Sequence, residues 1–253
     1  MESLSEIKSL LEWYVLSGVD QTCGDECYRV QNILQQPASL LRQATTSLSQ
    51  NVIASKQNAR DLCAKATTLS ELKQIVDSFD GCALKLTAKS TVFGDGNEHA
   101  KIMFIGEAPG ADEDRIGLPF VGRSGRLLEK MLSAIGLKRA DVYIANVVMW
   151  RPPGNRTPTD AEVAVCLPFL KRQIELINPK MIVFLGGSAA NALLDNTDSI
   201  SRLRGRWLEY QTSLNTSIPA LATFHPAYLL RNCSQKAKVW SDFLRILKKL
   251  KEN

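Results

Sequence analysis

Three polar side chains of different chemistry stand at the ends of short apolar runs in the sequence. They are the carboxylate of Glu107, the amide of Asn146 and the imidazole of His225. If the runs are parallel strands, their carboxyl ends meet at the edge where open sheets bind ligands. A carboxylate, an amide and an imidazole in one crevice would recognise a polar planar ligand. Structural alternatives stay open for each of them: a solvated turn residue, an amide that satisfies strand-end backbone groups, and a packed histidine.

Four apolar runs would position these residues, and each is of strand length. They cover residues 101–105, 142–146, 181–185 and 219–223. About 40 residues separate one run from the next, which is enough for a crossover helix and its loops. Residues 126–135 carry an apolar stripe at helical spacing, and residues 161–177 form a second candidate crossover helix. The pattern therefore predicts an α/β fold with a parallel sheet.

The glycine-rich segment at 106–110 does not match the common phosphate-binding loops. No Lys-Ser/Thr pair follows it as in a P-loop, and no third glycine completes a dinucleotide fingerprint. The sequence therefore gives no support for an ATP or NAD site.

The composition is that of an ordinary globular chain, with 253 residues, 45% hydrophobic and 23% charged. No apolar run approaches the roughly 18 residues needed to cross a bilayer, and the acidic start differs from a secretory signal. We therefore expect a cytoplasmic protein. Six scattered cysteines are too few for a disulfide framework at this length, so they are expected to be reduced thiols or metal ligands.

Charge divides the chain into two parts. Residues 1–80 carry a net charge of −3 and residues 81–253 a net charge of +8. The basic part favours a polyanionic partner such as nucleic acid, although a solvated, slightly basic surface is the alternative. The acidic part lacks a good strand, and we interpret it as a helical N-terminal extension. Within it, residues 35–55 predict a polar linker, with a poorly packed helix as the alternative, and Ser70 predicts an N-cap for a helix over 70–76.

Three segments closely resemble family 4 uracil-DNA glycosylases. They read GEAPGADEDRIGLPFVGRSGRLLEKML over 106–132, VYIANVVMWRPPGNRTPT over 142–159 and TFHPAYLLR over 223–231. The resemblance covers roughly residues 82–245 and implies that 81–253 form the catalytic domain. It implies a three-layer α/β/α fold with a central four-stranded parallel sheet, in agreement with the four apolar runs. It also implies a monofunctional enzyme of base excision repair that releases uracil from DNA and leaves an abasic site.

The resemblance assigns a role to each matching residue of the site. Glu107 lies beside the sugar and the attacking water, and Phe120 stacks on the extruded uracil. Asn146 hydrogen-bonds N3 and O4 of the base, while His225 donates to O2 as the base departs. Glu113 lines the C5 side and obstructs the methyl group of thymine. The substrate-binding loop is completed by Gly106, Ala108, Pro109 and Gly110.

The chemistry explains why these residue types are useful. Breaking the glycosidic bond leaves negative charge on uracil O2, and one preorganised donor such as a neutral His225 contributes about 3 kcal/mol, or about a hundredfold in rate. A fixed Asn146 amide pairs with uracil and clashes with cytosine, which carries an amino group at position 4. The sequence does not indicate what fixes that amide.

Contacts with DNA are expected from the loops at the same edge of the sheet. The expected DNA-binding residues are Arg151, Arg156, Tyr228, Leu229, Leu230 and Arg231. The arginines would bind phosphates, and at least one of the two leucines would insert into the space that the base vacates. The alternative is that both leucines begin a packed helix.

Most family 4 enzymes hold a [4Fe–4S] cluster on four cysteines, and this chain keeps two of them. Cys82 and Cys166 match the first and last positions, while Lys85 and Trp150 stand at the second and third. Two thiolates cannot hold a cluster that takes four ligands, so we predict that the protein binds no cluster and no metal. We expect the two thiols to lie near one another, with the Lys85 ammonium over the Trp150 indole.

Two other functions stay open. The chain could be a catalytically weak DNA-binding member of the superfamily that recognises uracil or abasic sites, or a small-molecule enzyme such as a nucleotide hydrolase. The intact set of Glu107, Phe120, Asn146 and His225 favours the glycosylase. We expect a monomer that acts on single- or double-stranded uracil-containing DNA and does not cleave the strand, since no lysine is positioned as a Schiff-base nucleophile.

Overall fold

A computed structural model describes residues 52–213 and 215–252 of the chain. The chain divides into two units, Met1–Leu48 and Ser49–Asn253, and the described residues all belong to the second. The first part of the expected helical extension and most of the expected linker lie outside the described residues. Residues 52–55, the last part of that linker, are helical instead.

One mixed sheet forms the centre of the described unit. Its strands are β1 (Asp95–Gly96), β2 (Ile102–Gly106), β3 (Tyr143–Asn146), β4 (Met181–Leu185), β5 (Trp207–Gln211) and β6 (Ser217–Thr223). They lie in the order β1-β3-β2-β4-β6-β5. The four central strands are mutually parallel, while β1 and β5 pair antiparallel at the two edges. The predicted α/β fold with four parallel strands is confirmed, and the two edge strands extend that sheet to six.

Helices connect the strands and cover both faces of the sheet. They are α1 (52–63), α2 (Leu69–Ser78), α3 (Ala111–Ile116), α4 (Arg123–Ala134), α5 (Asp160–Ile177), α6 (Gly187–Leu194), α7 (Ile200–Leu203), α8 (Pro226–Arg231) and α9 (Lys236–Glu252). Short 3₁₀ turns cover Ala83–Leu86, Arg139–Asp141, Pro153–Asn155 and Cys233–Gln235. The expected crossover helices over 126–135 and 161–177 correspond to α4 and α5. No helix of the described chain is long and apolar enough to cross a bilayer.

The alternation of side chains along the parallel strands creates two apolar layers. All five residues of β2 are buried. Met103 and Ile105 pack on the face covered by α2, α5 and α6, whereas Phe104 packs on the opposite face with α4 and α9. Burying one such side chain contributes about 2 kcal/mol, so strands with two buried faces hold the sheet firmly in register. This register fixes where each strand ends.

The first two helices belong to the same core as the rest of the described unit. Ala59 of α1 and Leu72 and Val76 of α2 are fully buried in the layer that contains α5. The N-cap of α2 is Thr68, which forms a capping box with Glu71, so the prediction of Ser70 as the cap was wrong. The division into an extension over 1–80 and a catalytic domain over 81–253 stays a prediction.

Candidate active site

The carboxyl ends of the parallel strands open into a cavity of about 420 Å³. Glu107 directly follows β2, Asn146 ends β3 in register with Gly106, and His225 follows β6 by two residues. The structure brings all three side chains to the wall of this one cavity, together with the ring of Phe120. Other expected residues that line it are Ala108, Pro109, Gly110, Glu113, Arg156, Tyr228 and Arg231.

Two buried oxygens at the cavity wall lack a hydrogen-bond partner. They are Oε1 of Glu107 and Oδ1 of Asn146, and neither has a partner among the described residues. Leaving such a group unsatisfied costs about 1–3 kcal/mol. Both oxygens are therefore suited to accept hydrogen bonds from a bound molecule.

The Asn146 side-chain amide is held by packing. It forms no hydrogen bond with a described side chain or backbone group. Asn146 is 2% exposed. A Cβ atom at Gly106 would stand 2.5 Å from Asn146 Oδ1 and 2.7 Å from the Phe120 ring. Gly106 does not line the cavity, but its missing side chain makes room for the two residues that do.

His225 is held by the helix that it begins. It is the N-cap of α8, where its Nδ1 accepts a hydrogen bond of 3.1 Å from the backbone N–H of Ala227. Since Nδ1 is an acceptor, the neutral ring carries its hydrogen on Nε2. Burial lowers the pKa of His225 to about 4, helped by the positive charge of Arg231 and opposed by the negative charge of Glu113. The site therefore contains an uncharged imidazole with one N–H to donate.

Phe120 supplies an aromatic wall and has an unusual backbone conformation. Its φ is +52°, a left-handed value that costs a bulky residue about 1–3 kcal/mol. Its ring centroid lies 5.4 Å from that of His225, with the planes tilted by 33°. At Gly125 a Cβ atom would stand 1.8 Å from the Phe120 carbonyl oxygen, so the first turn of α4 needs glycine to pass under this loop.

Arg139 fixes the Phe120 loop and was missed by the sequence analysis. Its guanidinium donates to the carbonyl oxygens of Pro119 at 2.5 Å and Phe120 at 3.1 Å. It also forms ion pairs with Asp95 and Glu129. Arg139 lies outside the three segments that carry the resemblance, and no local pattern reveals its long-range contacts.

Glu113 connects the two ends of the loop between β2 and α4. Its carboxylate accepts from the backbone N–H groups of Gly110 at 3.1 Å, Val121 at 3.0 Å and Gly122 at 2.9 Å. The side chain is 7% exposed and lines the cavity. Its contact with the C5 side of a base stays a prediction, and its visible contacts stabilise the loop.

The two leucines of α8 have different surroundings. Leu229 is 1% exposed and packs in the layer with α4, so it is not available to contact DNA as expected, and the packed alternative holds for this leucine. Leu230 is 38% exposed and stays a candidate. This difference follows from the helix, because consecutive residues of α8 point in directions about 100° apart.

The two arginines before α5 are engaged with the protein. Arg151 does not line the cavity, and its Nε donates to Asn155 Oδ1 at 2.7 Å. Arg156 lines the cavity and forms a two-pronged ion pair with Glu162 at 2.6 and 2.8 Å. A phosphate would have to compete with these partners. Cavity residues that the sequence analysis did not single out are Ser124, Pro152, Asn155, Thr157 and Ala227.

Cys82 and Cys166 lie in contact, as predicted, with their Sγ atoms 3.9 Å apart. Both are buried. Their mutual hydrogen bond lowers the pKa of Cys82, while the same bond and burial raise the pKa of Cys166. No group of three or more His, Cys, Asp or Glu side chains that could hold a metal occurs in the part of the chain that the structure describes.

The other two positions of the cluster motif carry side chains that do not bind iron. The Lys85 ammonium donates to the carbonyl oxygen of Asp77 and to Asp80 Oδ1, so its predicted position over the indole was wrong. The Trp150 indole is 1% exposed and donates to Thr91 Oγ1 at 3.2 Å. With two sulfurs and a buried indole, this site does not fit an iron–sulfur cluster.

Comparison with known proteins gives consistent matches. The model of the family described as Uracil DNA glycosylase superfamily matches residues 93–248. The chain is similar to the type-4 uracil-DNA glycosylase of Thermotoga maritima, at 44% identity over 176 residues, which are 68% of this chain and 90% of that protein. It is similar to that of Archaeoglobus fulgidus, at 43% identity over 71% of this chain and 92% of that protein. The enzyme of the same name from Pyrobaculum aerophilum is 37% identical over 69% and 90% of the two chains.

Proposed function

The chain belongs to the uracil DNA glycosylase superfamily, and we propose that it is a monofunctional uracil-DNA glycosylase of base excision repair. It hydrolyses the N-glycosidic bond of deoxyuridine extruded from DNA, releases uracil and leaves an abasic site. One observation carries this proposal: two unpaired buried acceptors, an uncharged imidazole donor and an aromatic ring line the same cavity.

Recognition of the base follows from the donors and acceptors of uracil. The N3–H group of uracil donates to Asn146 Oδ1, which has no other partner among the described residues, and the amide N–H donates to O4. Cytosine has no hydrogen on N3 and carries an amino group at position 4, so the same amide rejects it. The Phe120 ring stacks on the base.

Catalysis stabilises the charges that develop as the bond breaks. The bond between C1′ and N1 gives its electrons to the uracil ring, and the Nε2–H of His225 donates to the growing charge on O2. Since the imidazole is already neutral, it acts as a donor and keeps its proton. The Glu107 carboxylate, whose Oε1 has no other partner among the described residues, stabilises the positive sugar and takes a proton from the water that attacks C1′. The uracil anion leaves and is protonated by solvent.

Entry of the base requires DNA distortion. Extruding a base costs a few kcal/mol, less when uracil is mispaired. Tyr228 and Arg231 stand at the cavity, and Leu230 on the same short helix is exposed and available to fill the vacated space.

An oligonucleotide assay tests the proposed function. Single-stranded, U·A and U·G substrates are incubated with the protein and then treated with alkali, which cleaves at abasic sites. We expect cleavage at uracil with the wild type, and a loss of about a hundredfold or more with His225→Ala and with Asn146→Ala. His99→Ala is the matched control, because His99 is the other histidine and is exposed. Absence of alkali-labile sites with the wild type would contradict the proposal.

We further propose that the enzyme works without an iron–sulfur cluster. The proposal rests on the contact between Cys82 and Cys166 and on Trp150, which is buried in the same apolar layer and offers no thiolate. Metal analysis of protein produced in iron-supplemented medium should find far less than one iron per chain, whereas about four irons per chain would refute it. The monomeric state, the cytoplasmic location and the assignment of 81–253 as the catalytic domain stay predictions.

A further inference from the structure

A second polar cavity of about 430 Å³ lies between the turn before β5 and the first half of α9, and cations supply half of its lining residues. Arg204 and Arg206 come from the turn before β5, and Lys238 and Arg245 come from α9. Asp242 is the one carboxylate that lines it. Four cations around one carboxylate give this cavity a positive potential.

Two of these cations are held by the fold. Arg204 donates at 2.7 Å to Asp242 Oδ1 and at 2.7 Å to the carbonyl oxygen of Lys238. Arg245 donates to the carbonyl oxygen of Gly205. Asp242 is 1% exposed and also accepts from Thr223 Oγ1 at 2.7 Å, so both of its carboxylate oxygens have partners within the protein. These contacts orient the guanidinium groups, and a single carboxylate against four cations leaves the cavity with an excess of positive charge.

The other two cations are exposed and uncommitted. Arg206 and Lys238 are exposed, and neither side chain forms an ion pair with the described residues. Isolated surface cations contribute little, but two exposed cations beside two oriented guanidinium groups match the charge and hydrogen-bonding needs of a phosphate.

Ring contacts connect this cavity to the active cavity. The Arg204 guanidinium lies 5.6 Å from the centre of the Phe224 ring, which lies 5.0 Å from the centre of the Tyr228 ring. Tyr228 lines the active cavity. The Arg204 guanidinium is therefore no more than about 11 Å from the centre of the Tyr228 ring, a distance that a short run of nucleotides can span.

We propose that the cavity around Arg204, Arg206, Lys238 and Arg245 is a phosphate site, which binds a phosphodiester of the uracil-containing strand beyond the two that flank the extruded base. This inference rests on the proposed function, because it assigns a further part of the same DNA footprint. The ligand chemistry is a tetrahedral phosphate oxyanion, which a free phosphate monoester shares.

Salt-dependent binding tests this site. The substrate is an oligonucleotide with 2′-fluoro-deoxyuridine, whose fluorine slows bond cleavage so that equilibrium binding can be measured. For the double variant Arg206→Ala/Lys238→Ala, we expect about tenfold weaker binding at low salt. The slope of log K against log salt should fall by about 0.7–0.9 for each phosphate that the variant no longer neutralises. Lys101→Ala/Lys180→Ala is the matched control. These exposed lysines directly precede β2 and β4, at the amino ends of the strands and opposite the carboxyl ends that form the active cavity.

Oligonucleotide length separates the possible outcomes. With one nucleotide on either side of the uracil, the double variant should bind as well as the wild type, because the strand does not reach the second cavity. The proposal would be overturned if the double variant bound a long oligonucleotide as tightly as the wild type does. It would also be overturned if the variant lost the same affinity for short and long oligonucleotides. Inorganic phosphate is added as a competitor. If it shifts the NMR signals of residues around this cavity but does not weaken binding of the long oligonucleotide, the site binds a free phosphate and the proposal is overturned.

The double variant should keep the single-turnover rate of the wild type at saturating enzyme, since neither residue lines the active cavity. Failure of the proposed function would be distinguishable. In that case the wild type itself would release no uracil from a cleavable strand, whatever the length and salt dependence of its binding.

Discussion

Lowering the pH tests whether His225 works as a neutral hydrogen-bond donor. Burial lowers its pKa to about 4 from an ordinary 6.5, and the backbone N–H of Ala227 occupies Nδ1. We therefore expect the imidazole to stay uncharged, with its hydrogen on Nε2, from neutral pH down to about pH 5. The contribution of this residue to the single-turnover rate should be constant over that range.

The same pKa change makes folding depend on pH in a defined direction. Above pH 6.5 the residue is neutral in both states and has no effect. Below it, the unfolded chain takes up a proton that the folded chain does not, so the free energy of unfolding falls. The loss grows until about pH 4, where it reaches about 3 kcal/mol from a pKa difference of 2.5 between the two states.

NMR measures this titration directly. The chain has two histidines, so His99→Gln leaves a single imidazole spectrum that belongs to His225. We expect its ring signals to titrate near pH 4, with nitrogen shifts of the Nε2–H form above that pH. As a second measurement, thermal unfolding of His225→Gln should lose less stability between pH 6.5 and 4.5 than the wild type does. A His225 ring that titrates near pH 6.5 would refute the reasoning. So would a single-turnover rate that falls below pH 6.5 in the wild type but not in His225→Gln.

Three substitutions test other parts of the site. Asn146→Asp removes the donor to O4 and adds a negative charge, so uracil release should fall about a hundredfold at unchanged melting temperature; an unchanged rate would contradict the base-binding role. Arg139→Ala removes two hydrogen bonds to backbone carbonyls and should cost about 2 kcal/mol in unfolding free energy and about tenfold in rate, with Arg139→Lys intermediate. A loss of stability without a loss of rate would limit Arg139 to a structural role. Leu230→Ala should slow release from U·A duplexes about tenfold and leave single strands unaffected, whereas equal effects on both would contradict insertion.

The parallel part of the fold could be predicted because each of its strands is buried on both faces. Residues 181–185, for example, are all apolar and all buried, and such runs are recognisable in the sequence. The edge strands could not be predicted in the same way. β1 has two residues, and β5 alternates exposed and buried positions without an apolar run.

The site was predictable to the extent that topology places it. The carboxyl ends of parallel strands lie on the same side of a sheet, so Glu107, Asn146 and His225 could be predicted to meet there. The support around them depends on contacts distant in sequence, such as the hydrogen bond from Arg139 to a carbonyl 19 residues away. Whether Leu229 or Leu230 faces solvent depends on how α8 is rotated against the core, which the local sequence leaves undecided.

The carboxylate of Glu113 has a consequence for how the loop tolerates change. Three backbone N–H groups converge on its two oxygens, so the site needs a side chain that only accepts. A glutamine there would have nearly the same shape, but its terminal NH₂ would face N–H groups that also donate. Glu113→Gln would therefore keep the volume of the side chain but place a donor where the loop needs an acceptor. The loop that carries Phe120 is sensitive to such an exchange.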